Sequence, residues 1–137
     1  EIAHALIRSW PPIPPRRALT LLSSSTPDTQ TREFAVGCLD QFSDDELVLY
    51  LLQLTQAVKY ECYHFSALSQ FLVLRAVRSP LVGHSLFWLL KAELEVHPAM
   101  APRYFLMMDA YLNECSIEQR RSLLRQMKLI DKLMSIA

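Results

Sequence analysis

Residue types that can do chemistry are present in this sequence, but their spacing works against it. Gly83-His84-Ser85 sets an imidazole beside a hydroxyl. Neighbouring residues on a helix point about 100° apart, so His84 is badly placed as a base for Ser85, and no acid is set to orient the ring. The Gly-x-Ser-x-Gly turn that exposes a hydrolase nucleophile does not occur. Glu61, Cys62 and His64 come nearest to a metal set, yet no second ligand cluster accompanies them, and His4 and His97 are isolated. Asp44-Asp45-Glu46 gathers carboxylates where a helix begins, which capping and the helix dipole explain. No glycine-rich loop is present to close backbone N–H groups around a phosphate. Gly37 and Gly83 fall inside expected helices, where each is expected to permit a close helix–helix contact. The sequence therefore predicts no catalytic, metal or cofactor site in this chain.

Charge and composition narrow the partners. Fourteen basic residues balance fourteen acidic ones, which removes the global attraction that nucleic-acid binders use to capture phosphate backbones. The one local bias lies near the C-terminus, where Arg120, Arg121, Arg125, Lys128 and Lys132 meet only Glu118 and Asp131. At about 1 kcal/mol per basic residue near an anionic leaflet, that excess cannot anchor the chain to a membrane by itself. A solvated face or a seam with another domain is expected there, with Arg121, Arg125 and Lys128 as contact candidates. Cys38, Cys62 and Cys115 are odd in number, widely spaced and set among apolar residues, so buried free thiols in a cytoplasmic protein are expected. The longest apolar runs, such as Leu86 to Leu90, are too short to cross a bilayer. Glu1-Ile2-Ala3-His4 lacks the basic start and apolar stretch of a secretory signal, and is expected to lie inside a longer chain.

The elements that hold these residues are helices almost throughout. Apolar residues recur three and four apart, and only two glycines interrupt them. A first helix over about 2–8 ends at Trp10-Pro11-Pro12, and Pro14-Pro15 opens a short one carrying Ala18, Leu19 and Leu22. Thr26-Pro27-Asp28 is expected to start the next with Thr26 as cap, presenting Phe34, Ala35, Cys38, Leu39 and Phe42 to the core. Ser43 and Glu46 have capping-box spacing before a long helix through Leu47, Leu51, Leu54 and Val58. With Val48, Leu49, Tyr50 and Leu52 added, that helix is apolar on most of its circumference and is expected to be covered on several sides. Further helices are expected over about 65–77, 81–96, 101–114 and 117–136.

Laying Ser43 over Ser79 brings Leu51 onto Phe87, Leu54 onto Leu90 and Val58 onto Leu94, an offset of 36 residues. Helix pairs at such a period hide their apolar faces only by stacking. The expected fold is all-α, a right-handed solenoid of antiparallel helix pairs of HEAT or armadillo type, with seven to eight helices in one domain over residues 1–137. Leu39, Leu51, Leu54, Phe87, Trp88 and Leu90 are its expected core.

Specific strings then stand out: Arg32-x-Phe34-Ala35-Val36-x-Cys38-Leu39, Tyr50-Leu51-Leu52-Gln53-Leu54-x-Gln56-Ala57-Val58-Lys59-Tyr60-Glu61, Ala67-Leu68-x-x-Phe71-Leu72 and Gly83-His84-Ser85-Leu86-Phe87-Trp88-x-Leu90-Lys91-x-Glu93. In this order they resemble the helical accessory domain of phosphoinositide 3-kinases. Ala35-Val36-Gly37-Cys38-Leu39 and a long turn from Glu95 to Pro102 are more similar to class II members. The resemblance implies a non-catalytic spine against which a lipid-binding β-sandwich, a Ras-binding-type domain and a kinase domain pack within one polypeptide. It places ATP and Mg in that kinase domain, and membrane recruitment in the other domains. Lys59, Glu61 and His84 match the pattern and are further interdomain-contact candidates. A stand-alone solenoid adaptor, binding a protein partner on its concave face, is the alternative.

Overall fold

The computed structural model describes residues 2–136, and eight α-helices account for most of them, with no strand among the described residues. They are α1 (Ile2–Ser9), α2 (Pro15–Ala18), α3 (Thr29–Leu39), α4 (Asp44–Ala57), α5 (Ala67–Arg78), α6 (Pro80–Val96), α7 (Ala101–Glu114) and α8 (Ile117–Ile136). Short 3-10 turns extend α2 and α4 and precede α7.

Helix starts follow from local chemistry. Ser43 accepts from the Glu46 backbone N–H while the Glu46 carboxylate reaches back to the Ser43 N–H, completing the expected capping box. Ser79 caps α6 ahead of Pro80, and Ser66 caps α5. At α3 the cap is Asp28 rather than Thr26: Asp28 Oδ2 accepts from the Thr31 backbone at 2.9 Å and from the Thr31 hydroxyl at 2.6 Å. A carboxylate in that position answers the N-terminal N–H groups with a full charge, and the two Thr31 bonds, chiefly the hydroxyl's, hold its pKa below the ordinary value.

The helices stack as two layers. The odd-numbered series α3, α5 and α7 pack on one another in order, α4 packs on α6, and α5 and α7 both pack on α6. This packing is compatible with an α-solenoid, and the offset seen between Ser43 and Ser79 is realised in burial. Leu51 and Phe87 are both buried, as are Leu54 and Leu90, and Val58 is buried where Leu94 is half-buried. Leu39 completes the buried set expected there. Trp88 does not belong to the core. It is half-buried, one position round the helix from Phe87, and its ring meets the Phe87 edge at 5.2 Å.

Three other expectations are overturned. Helix α4 is covered on one side only, with Leu49 78% and Leu52 57% exposed, because its main neighbour, α6, leaves the far face bare. Cys62 is exposed, while Cys38 and Cys115 are buried. The stretch from Glu95 to Pro102 is no long turn: α6 runs to Val96, His97 alone caps it, and a 3-10 turn over Pro98–Met100 leads into α7. One of the two features behind the class II resemblance is therefore absent.

The glycines part company as well. A Cβ on Gly83 would fall 2.8 Å from the Ala76 carbonyl oxygen and closer still to the Tyr111 hydroxyl, so α5, α6 and α7 meet where only hydrogen fits. A Cβ on Gly37 would meet nothing within 4 Å, since that position is exposed.

Candidate interdomain surface

Two buried charges organise the interior and so decide which polar residues are left for the surface. Arg32 Nε donates to Glu61 Oε2 across 2.6 Å, with both side chains at least nine-tenths buried. The same guanidinium donates to the carbonyls of Ser23, Thr26 and Ala57, which ties the loop before α3 to the end of α4. Ser66 Oγ donates to the other Glu61 oxygen at 3.1 Å, so the carboxylate also fixes the start of α5. Arg103 on α7 donates to the Val58 and Glu61 carbonyls, and Tyr104 Oη donates to the Thr55 carbonyl at 3.0 Å. Loss of hydration is repaid here only because nearly every donor and lone pair finds a partner. Burial first, then the nearby Glu93 charge, pushes the Tyr104 phenol well above its ordinary value of 10.

Glu61 accordingly faces inward and is not available to a neighbouring domain. Lys59 is half-buried with its ammonium 3.2 Å from Glu93 Oε2, so it too is engaged inside the chain. His84 is exposed, and its Nε2 lies 3.0 Å from Gln126 Oε1, the oxygen to which Trp88 Nε1 donates at 3.1 Å. His84 and Trp88 thus secure α8 on α6. Neither the Arg32–Glu61 pair nor the Gln126 bridge is signalled by sequence spacing, because the partners are 29, 38 and 42 positions apart. Both partners of the ion pair do lie in the strings that carried the family resemblance, which was the one available signal.

The remaining candidates, Arg121, Arg125 and Lys128, are exposed on α8, and with Lys132 they form no ion pair among the described residues. Exposed apolar side chains concentrate on the end of α8, with Leu129, Ile130, Leu133, Met134 and Ile136, and α4 exposes Leu49 and Leu52. The same helix walls a groove with Leu19, Leu22, Gln53, Leu54, Ala57 and Tyr60. Among the described residues no group of three or more His, Cys, Asp or Glu is arranged to hold a metal ion, and no helix is long and apolar enough to cross a membrane.

A family model described as the phosphoinositide 3-kinase family, accessory domain (PIK domain), matches residues 1–124. The chain belongs to this family. Phosphatidylinositol 3-kinase 1 of Dictyostelium discoideum is 40% identical to it over 135 residues, which is 98% of this chain and 8% of that protein. Phosphatidylinositol 3-kinase 2 of the same organism is 36% identical over 136 residues, 98% of this chain and 7% of that protein. The PIK domain described here thus spans less than a tenth of the length of these relatives. What it offers chemically is surface: apolar stripes on α4 and α8 and a row of unpaired cations.

Proposed function

We propose that this PIK domain is the non-catalytic spine of a phosphatidylinositol 3-kinase, positioning the lipid-binding β-sandwich, the Ras-binding-type domain and the kinase domain of one polypeptide. In that arrangement residues 1–137 are a single helical unit of a longer cytoplasmic protein. ATP and Mg bind the kinase domain, and other domains bring the whole to the membrane.

The supporting observation is the amount of surface left uncovered. The domain exposes 8412 Å², whereas a compact monomer of 15.8 kDa exposes about 7300 Å². Part of that surface is apolar, with Leu49 78% and Leu52 57% exposed on the helix that also walls the groove bordered by Leu19 and Tyr60. Patches of that kind mark contact sites rather than solvent-facing walls.

Titrating the chain into a kinase domain that lacks it, while following binding and lipid phosphorylation together, tests the reading. Saturable binding that alters activity is expected, weakened at least about tenfold by Leu49→Asp with Leu52→Asp. No interaction at high concentration, or full binding by that double variant, counts against a spine that packs through α4.

A further inference from the structure

Helix α8 carries two stripes that nothing in the structure covers. Arg121, Arg125, Lys128 and Lys132 are spaced four, three and four apart, so at about 100° per residue they fall within about 60° of one another. That row lies roughly opposite Leu123, the one α8 residue fully buried, and extends about 16 Å along the axis. Beside it, Leu129, Leu133 and Ile136 repeat the four-then-three spacing and are 58%, 59% and 82% exposed. Leu124 floors a shallow depression between Arg121, Arg125 and Lys128 on the other side.

Arg32, Lys59, Arg75 and Lys91, cations that help hold the fold together, are paired with carboxylates. The α8 row has none, although Asp131 and Glu118 share the helix. An alternation of four and three is the spacing at which a second helix presents its own side chains along a shared seam, apolar positions meeting in the middle and charges flanking them.

We infer that α8 is a docking ridge for an acidic amphipathic helix, whose carboxylates pair with Arg121, Arg125, Lys128 and Lys132 while its apolar stripe covers Leu129, Leu133 and Ile136. We take that helix to come from elsewhere in the same polypeptide, because this domain spans less than a tenth of its relatives' length. The ridge goes beyond the spine reading, which can hold through α4 alone. An anionic membrane is the less suited occupant, because the helix's excess of basic charge is too small to anchor the chain there by itself, although Ile130 and Met134, 39% and 72% exposed, widen the apolar face.

The test uses the 137-residue chain and a fluorescent synthetic helix with glutamates spaced four, three and four beside a leucine stripe. A control helix has the same composition with its glutamates spread around the circumference. Saturable binding of the patterned helix at low salt is expected, at least tenfold tighter than the control and lost at high salt. Arg121→Glu, Arg125→Glu and Lys128→Glu together remove it, and Leu133→Asp weakens it. All four positions are exposed, so the variants keep the fold, checked by their melting curves. Equal binding of patterned and control helices, or full binding by the charge-reversed variant, overturns the ridge. So does tighter capture by phosphatidylserine vesicles than by the patterned helix. Kinase-domain titration with the same charge-reversed variant is a separate readout, so the spine can fail while the ridge stands, and the reverse.

Discussion

Trp88 reaches across from α6 to Gln126 on α8, its indole Nε1 donating to the side-chain oxygen at 3.1 Å, and His84 one turn earlier lies 3.0 Å from the same atom. That side-chain oxygen, together with Gln119 Nε2 donating to the Pro80 carbonyl at 3.3 Å, ties the last helix to the stack. Because Leu123 is the only fully buried residue of α8, this polar clamp is a large share of what fixes it. Gln126→Ala should leave the indole N–H of a half-buried ring without its acceptor and cost about 1 kcal/mol. The cost is expected to be local. Amide exchange should accelerate through α8 and stay unchanged through α4 and α5, and a uniform acceleration would contradict the clamp.

The buried pair behaves differently, because both charges have left water. Removing one partner, as in Arg32→Met or Glu61→Met, strands the other and should cost about 3–5 kcal/mol. Arg32→Met combined with Glu61→Met should cost clearly less than the sum of the single changes, since no unpaired charge then remains. Urea unfolding of the single and double variants measures this coupling. Additive losses would mean that the backbone carbonyls around Arg32, rather than Glu61, supply the compensation.

These two relationships show what the sequence can and cannot carry. Helix starts at Ser43 and Ser79 are legible because a cap and the group it serves are three residues apart. The offset between them predicts that Leu51 and Phe87 share a buried layer, as they do. Arg32 and Glu61 leave no such local trace, and an arginine inside a helix reads as solvent-facing until its partner is seen. Asp28 displaced Thr26 as cap because α3 starts two residues later than expected, which makes Asp28 the side chain three positions before the Thr31 N–H. Leu49 and Leu52 were unreadable in another sense. Their apolar character is plain, but an all-round apolar helix does not say which of its faces the rest of the fold will cover, and here these two stay exposed.

The two glycines offer a paired prediction from the same helix-interior setting. Gly83→Ala forces a methyl group against the Ala76 carbonyl, a backbone atom that cannot step aside, and against the Tyr111 ring, so it should destabilise by about 1–3 kcal/mol. Gly37→Ala meets open space and gains the helix propensity of alanine, which should stabilise by up to about 1 kcal/mol. Thermal melting of both variants decides it. If Gly83→Ala left stability unchanged or raised it, the close approach of α5, α6 and α7 would not be the reason for that glycine.

Tyr104 links the interior to alkaline pH. Its hydroxyl donates to the Thr55 carbonyl at 3.0 Å in a fully buried position, and its pKa is raised, by burial first and by Glu93 second. A phenol whose pKa is higher folded than unfolded contributes stability that is full below the unfolded value of 10. That contribution declines as pH rises above 10, because only the unfolded chain then releases the proton. Tyr104→Phe should therefore do two things. Near neutral pH it should destabilise by about 1–2 kcal/mol, through the lost hydrogen bond and the Thr55 carbonyl left without this donor. Between about pH 9 and 11 it should lose less stability than the parent, although Tyr111, whose pKa burial also raises, keeps part of the slope. Urea midpoints across that range, read beside phenolate absorbance, test both. A variant as alkali-sensitive as the parent would mean that Tyr104 ionises in the folded domain and that its burial does not set the alkaline limit.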